Sequence, residues 1–361
     1  MNILQNEYPY TNKKRVSALL EATIHLQKVE PDMNYLISPV TLEHMTHTAS
    51  KKGQPDIVML VWDYLTLIQE TLESKNDPLA AIYSKTTPGL YENAALAFAG
   101  SYKDHLVFVG ILSEMENDGI KPSRSFLSRL AQSIRVRPNS VKRLDNVMYV
   151  IKESYRNNDT NVDDGQSSVK PTTSALNTVL AGFSDFGFSA KAIDIYHDFE
   201  QLQCIPDENT FSFLIDSIAM DITTAIPPSI RHFRRPPKRS IKDEEMKSWL
   251  STQVDTADII YEAAVEMGHG SNEYVLNSYI KILCAIGELD KALFLLEEKL
   301  EKEEKISIEA LGLLALSNAH HGEFDIVQDI IMMCRKAGYK SGLSKHVTDR
   351  IAALKIEYDM M

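Results

Sequence analysis

Asparagine recurs in a matching sequence context, which would place its amide group on the same face of equivalent helices. Asn177 and Asn277 each follow an apolar pair, and in both segments a glycine lies ten residues after the asparagine and an alanine fifteen residues after it. A carboxamide both donates and accepts hydrogen bonds, so it can recognise a partner that carries both functions. Equivalent side chains of this kind would line up along one wall of a repetitive fold.

No other group of residues has the types and spacing of an active site. The chain has no glycine-rich phosphate loop, no Gly-x-Ser-x-Gly elbow and no carboxylate cluster of the nuclease kind. His44 and His47 share a helical face beside Glu43, but a third ligand at metal spacing is missing and zinc needs a tetrahedral set. We therefore expect a protein with no enzymatic activity, no metal and no cofactor.

The composition favours a helical protein outside the membrane. Of 361 residues, only 29 are glycine or proline, and few breakers over such a length favour long helices. No apolar run is long enough to span a membrane. The three cysteines, Cys204, Cys284 and Cys334, are too few and too far apart for a disulfide framework, which indicates a reducing compartment. The net charge of −12 weighs against a nucleic-acid partner, although residues 121–143 contain seven cations and no acid.

The recurring positions belong to an internal repeat of 35 residues, since Gly322 follows Gly287 by that interval. Within a repeat, apolar residues recur at spacings of three and four in two runs that the glycine separates, which predicts a helical hairpin. One hairpin cannot bury its apolar faces alone, so successive hairpins must stack. The sequence predicts an all-α fold, a right-handed α-solenoid of about seven stacked helix-turn-helix repeats.

The repeat frame divides the chain into three regions. Residues 1–38 would hold an N-terminal capping helix, 39–342 the repeat array and 343–361 a C-terminal capping helix. The seven predicted repeats are 39–88, 89–123, 124–172, 173–207, 208–272, 273–307 and 308–342. The fifth carries an insertion at about 222–250 that is rich in proline and arginine, and a polar loop is expected at Asn157 to Ser168.

This pattern resembles the P-type repeats of the pentatricopeptide repeat family. That family has an asparagine near the start of each repeat, glycine at position fifteen, alanine at position twenty and Gly-Ile-x-Pro-Asp at the end. The repeat that contains Asn177, Gly187, Ala192 and Ile205-Pro206-Asp207 matches it well. The tryptophan signature of the related tetratricopeptide repeat is absent. The resemblance implies a protein that binds single-stranded RNA and reads about one base per repeat.

The resemblance also implies which side chains read the bases, because family members use the fifth and the last residue of each repeat. Amides and hydroxyls supply donors and acceptors there, and aspartate supplies an acceptor. By the family's pairing rules, the implied target is pyrimidine, purine, U, A, C from 5′ to 3′. The implied pairs are Asn93 with Ser123, Ser128 with Thr172, Asn177 with Asp207, Ser212 with Asn272, and Asn277 with Ser307.

Contacts to phosphate are predicted more weakly. Lys51 matches a lysine that the family often places two residues before the mid-repeat glycine. Five further candidates are cations of the insertion, a segment that could equally be an RNA-gripping arm, a solvated linker or a protein-docking segment. At the family's second position, Tyr274 could stack on a base, whereas Glu309 would repel a phosphate. The five candidates in the insertion are Arg231, Arg234, Arg235, Lys238 and Arg239.

Two functions stay open from the sequence. The first is binding of single-stranded RNA in organellar RNA processing, stability or translation, since most family members work in mitochondria or plastids. The second is a protein-interaction scaffold in an organellar ribosome or RNA-processing complex. The net negative charge favours it, and so do the second positions of the repeats, which lack the valine that the family usually has there. The asparagines at the fifth positions could also cap or decorate helices without reading bases.

Overall fold

The computed structural model describes residues 13–30, 36–79, 83, 88–99, 105–135, 140–160, 171–225 and 244–360. All sixteen elements in these ranges are α-helices. They are α1 (Lys13–Val29), α2 (Pro39–Lys51), α3 (Pro55–Ser74), α4 (Pro88–Ala99), α5 (His105–Asn117), α6 (Arg124–Arg135), α7 (Ser140–Thr160), α8 (Thr173–Ser184), α9 (Ser189–Gln201), α10 (Glu208–Ala225), α11 (Glu244–Glu266), α12 (Glu273–Ile286), α13 (Leu289–Glu301), α14 (Ile308–His321), α15 (Phe324–Lys336) and α16 (Lys345–Asp359).

The helices form two compact halves, and the N-terminal half comprises Met1–Val179. In it, α2 pairs with α3, α4 with α5, and α6 with α7, while the first helices α2, α4 and α6 contact one another in chain order. The additional helix α1 packs on α3. Apolar side chains between the paired helices are fully buried, with Tyr64, Phe108 and Phe126 among the largest. Burial between hairpins supplies the stability that a single hairpin lacks.

The C-terminal half, Leu180–Met361, repeats the same arrangement. The hairpins are α10 with α11, α12 with α13, and α14 with α15, and the helices α10, α12, α14 and α16 contact one another in that order. Within this half, the first helices of the hairpins therefore form one layer, called here the first-helix layer. The second helices α11, α13 and α15 lie against it and form the second-helix layer.

Glycine ends the first helix of a hairpin where the sequence predicts the interruption. Gly287 ends α12 with φ 87°, and Gly322 ends α14 with φ 83°. Both angles lie in the left-handed region, which a residue with a side chain adopts only at a cost. The backbone N–H of Gly287 donates to the carbonyl of Leu283 and so satisfies one of the last carbonyls of α12. The prediction of a glycine turn between paired helices is confirmed at these positions.

The predicted all-α architecture of stacked helical hairpins is confirmed. The right-handed path and the boundaries of the three regions and seven repeats stay predictions. The prediction of a loop from Asn157 is wrong for its first four residues, because α7 continues through Thr160. The rest of that segment, like most of the proline-arginine insertion, lies outside the described residues.

Neither a membrane-spanning helix nor a cluster of metal ligands occurs in the described residues. Within them, no helix combines the length and the apolar character that crossing a membrane would require. In the same ranges, there is no group of three or more histidine, cysteine, aspartate or glutamate side chains that could hold a metal ion.

Candidate nucleic-acid interface

Helix α12 presents three polar or aromatic side chains along one face. Tyr274, Asn277 and Lys281 are three and four residues apart, a spacing that places them on one side of an α-helix. The Tyr274 side chain is 52% exposed, and Asn277 and Lys281 are half-buried. The opposite side of α12 is held in the core by Val275, Leu276 and other buried apolar residues. The packing of α12 therefore leaves a ring, an amide and an ammonium group accessible.

The structure brings the predicted pair Asn277 and Ser307 into direct contact. The Ser307 hydroxyl donates a hydrogen bond to Oδ1 of Asn277. The Ser307 oxygen also accepts from the backbone N–H of Ala310 at 3.0 Å and so caps α14. On its other side, Nδ2 of Asn277 lies 3.5 Å from Oε2 of Glu309, a long contact with a carboxylate. The amide of Asn277 is thus oriented by two residues of the following hairpin.

A charged cluster holds the turn before α12 next to the turn before α14. The ammonium group of Lys299 lies 2.7 Å from Oε2 of Glu304 and 2.9 Å from the Ser271 hydroxyl. Ser271 donates to the same Glu304 carboxylate. These hydrogen bonds lower the pKa of Glu304 below its ordinary value. Because Ser271 immediately precedes Asn272 and Glu304 closely precedes Ser307, the cluster fixes the spacing of two neighbouring last-position residues.

All five last-position side chains of the predicted pairs lie at helix N-termini. Each accepts a hydrogen bond from a backbone N–H of the helix that follows it, which satisfies a donor that has no partner within the helix. The donors to Asn272 and Asp207, for example, are Tyr274 and Thr210, both at 2.9 Å. The five capping residues are Ser123, Thr172, Asp207, Asn272 and Ser307.

This capping role was missed at the sequence level, although the signal was present. Serine, threonine, asparagine or aspartate directly before an apolar-periodic run is a typical N-cap. The same pattern gives Ser38 and Ser344 as caps of α2 and α16, outside the predicted pairs. The last position of a repeat therefore has a structural reason to be polar that does not depend on RNA.

The other fifth-position residues differ in accessibility. Asn93 is 8% exposed, and its Oδ1 lies 3.2 Å from Nδ1 of His47, a residue on the preceding hairpin. Ser128 is half-buried on α6. Asn177 and Ser212 are fully buried, and the Ser212 hydroxyl donates to the carbonyl of Asn209 at 3.1 Å. Among the five fifth-position side chains, Asn277 and Ser128 are the more accessible.

The predicted phosphate contacts are placed only in part. Lys51 is exposed at the C-terminal end of α2. Arg231, Arg234, Arg235, Lys238 and Arg239 lie outside the described residues. On α6, Arg129 is half exposed and pairs with Glu92 of α4 at 2.8 Å, so one cation of the 121–143 run is partly neutralised.

The negative charge of the chain is concentrated in the C-terminal half. Residues 1–179 contain 19 lysines and arginines against 20 acidic residues, which nearly balance. Residues 180–361 contain 19 lysines and arginines against 30 acidic residues. Since phosphate binding depends on nearby cations, the charge of the N-terminal half suits an RNA backbone better than that of the C-terminal half.

These helices define the class of the protein: an all-α protein of stacked helical hairpins with capping residues between successive repeats. No protein-family model matches the chain. No curated protein matches it either.

Solved structures of pentatricopeptide repeat proteins are similar to the chain. The crystal structure of the pentatricopeptide repeat protein PPR10 from maize aligns with a TM-score of 0.40 and 14% identity, over 96% of this chain and 46% of that one. Two structures of PPR10 in complex with an 18-nucleotide psaJ RNA element, one with three cysteines replaced by serine, align with a TM-score of 0.25 and 14% identity. Those alignments cover 92% of this chain and 54% of the PPR10 chains. This chain therefore spans about half the length of the PPR10 chains it matches.

Proposed function

We propose that this protein binds single-stranded RNA along the first-helix layer of its hairpins and has no catalytic activity of its own. The observation that carries the proposal is the contact between Asn277 and Ser307 beside the exposed ring of Tyr274. An aromatic ring next to paired polar groups offers a base both a stacking surface and hydrogen-bonding partners. Lys281, one turn further along the same face, supplies a cation for the backbone.

The proposal extends to the other predicted pairs and to a place of action. The fifth and last residues of each repeat would contact successive bases, with Lys51 and the arginines of the insertion near phosphates. The buried amide of Asn177 would have to become accessible for this, whereas Asn277 already is accessible. The role would be to occlude RNA from nucleases or to prevent hairpin formation during processing, stabilisation or translation. The family resemblance favours mitochondria or plastids as the compartment.

A binding titration over a salt series tests the proposal. A fluorescent pool of single-stranded RNA should bind at low salt, and the logarithm of its affinity should fall linearly with the logarithm of the salt concentration. Tyr274→Ala should weaken binding. The matched control Phe294→Ala removes an aromatic ring that is 68% exposed on the second-helix layer and should leave RNA affinity unchanged. Absence of binding to any RNA pool at low salt would overturn the proposal.

Base reading is tested separately from binding. The double substitution Asn177→Ala with Asp207→Ala should weaken binding at one base of the target and leave other positions unaffected. An equal loss for all RNA sequences would mean that these two side chains only support the fold, as the capping bond from Thr210 to Asp207 would by itself explain.

A further inference from the structure

The second-helix layer of the C-terminal half carries an acidic and apolar surface that RNA binding does not use. Along α11, Asp255, Ile259, Glu262 and Glu266 are exposed at spacings that keep them on one side of the helix. Ile259 is 66% exposed. These four residues form a stripe in which one large apolar side chain lies among carboxylates.

Helix α13 repeats this stripe. Asp290, Phe294, Glu297 and Glu301 are exposed at the same intervals as the four residues of α11, and Phe294 is 68% exposed. The order of acid, apolar residue, acid and acid is identical on the two helices. We call the two stripes together the acidic outer patch.

An ion pair shows that the two stripes are neighbours. The ammonium group of Lys291 on α13 lies 2.6 Å from Oδ2 of Asp258 on α11. Ile259 directly follows Asp258, and Phe294 lies one turn after Lys291. The two exposed apolar side chains therefore flank the same ion pair.

Within the part of the chain that the structure describes, four carboxylates of the patch have no cation paired with them. Among the residues the structure describes, Asp255, Glu262, Asp290 and Glu297 have no ion-pair partner. Other acids of this half are paired, as Glu304 is with Lys299 and Glu298 with Lys302. Lys291, which lies beside the patch, is already engaged by Asp258.

We propose that the acidic outer patch binds a basic amphipathic helix of a partner protein. Lysines or arginines of that helix would pair with the free carboxylates, and its apolar face would cover Ile259 and Phe294. Burial of exposed aromatic and aliphatic side chains contributes most of the affinity at such interfaces, and complementary charge contributes specificity and association rate. Single-stranded RNA fits poorly, because the carboxylates would repel its phosphates. This inference goes beyond the proposed function and does not depend on it.

The test uses the full chain and two synthetic peptides. The first is a short helical peptide of lysine and leucine with the leucines on one face, and the second has the same lysines with serine in place of leucine. The lysine-leucine peptide should bind in a fluorescence polarisation titration, more weakly as salt is raised. Phe294→Ser and Ile259→Ser should each lower its affinity at least about tenfold. Glu262→Gln with Glu297→Gln should lower it as well.

The controls separate this surface from others. Leu106→Ser removes a side chain that is 53% exposed in the N-terminal half and should change nothing. Circular dichroism and thermal melting show whether each variant is folded. Equal affinity for the lysine-serine peptide, or unchanged affinity in Phe294→Ser and Ile259→Ser, would overturn the proposal. So would loss of RNA binding in Phe294→Ser, since the surface would then serve RNA.

Discussion

The Ser307 hydroxyl donates a hydrogen bond to Oδ1 of Asn277, and the same oxygen caps the helix of the next hairpin. One side chain thus both completes the start of α14 and orients an amide on the accessible face of α12. The cap of α14 and the contact with Asn277 therefore depend on the same hydroxyl group. A substitution at Ser307 therefore has to be judged by stability and by binding together.

Ser307→Ala should lower the free energy of unfolding by about 1 kcal/mol, because the N–H of Ala310 loses its acceptor. Ser307→Thr retains an oxygen at the cap and should cost less. Urea denaturation followed by circular dichroism measures both variants. If Ser307→Ala were as stable as the wild type, Ser307 would have no capping role.

Tyr274→Ala should weaken RNA binding by about 1 to 3 kcal/mol, the usual contribution of one stacked base. The slope of affinity against salt should stay the same, because no cation is removed. Tyr274→Phe keeps the ring and should bind nearly as well as the wild type. A loss in Tyr274→Phe equal to that in Tyr274→Ala would assign the effect to the hydroxyl instead of to stacking.

The three cysteines should react with iodoacetamide at different rates in the folded protein. Burial raises the pKa of Cys284 to about 12, and burial also raises the pKa of Cys334. Since the thiolate is the reactive form, both should resist alkylation at mildly alkaline pH, whereas the half-buried Cys204 reacts first.

Mass spectrometry of peptides from native and urea-unfolded protein checks this order. All three cysteines should be modified after unfolding. Modification of Cys284 at the rate of Cys204 in the native protein would contradict the placement of Cys284 in the core.

Glu304 should contribute to stability in a way that depends on pH. Its pKa in the folded protein is lowered from 4.5 by hydrogen bonds from Lys299 and Ser271. A carboxyl whose pKa is lowered on folding stabilises the protein above its unfolded pKa, and that contribution is lost as the pH falls through the lowered value.

Unfolding titrations of the wild type and Glu304→Gln at several pH values test this dependence. Glu304→Gln should be less stable than the wild type at neutral pH, and the difference should shrink as the pH falls below 4.5. A difference that did not vary with pH would mean that the charge of Glu304 plays no part.

The sequence was informative where the fold depends on spacing. The recurrence of Gly287 and Gly322 at one interval predicts the hairpin turns, because glycine is the residue that most readily adopts a left-handed helix end. Apolar spacing within 273–307 predicts two helices, which are observed as α12 and α13. Local rules of this kind act within a few residues and can be read without a structure.

Accessibility could not be predicted in the same way. Asn177 and Asn277 occupy matching sequence contexts, yet Asn177 is fully buried and Asn277 is half-buried. Burial depends on what packs over a side chain, which the repeat spacing does not determine. The contact of Asn277 with Ser307 and Glu309 likewise requires the next hairpin in place.

The most direct test of the proposed RNA interface is ultraviolet crosslinking of the protein to single-stranded RNA, followed by mass spectrometry of the crosslinked peptides. The interface described above predicts crosslinks on the first helices of the hairpins, above all at Tyr274 of α12, and their loss in Tyr274→Ala. Crosslinks confined to second helices such as α13, or no crosslinks at low salt, would contradict it.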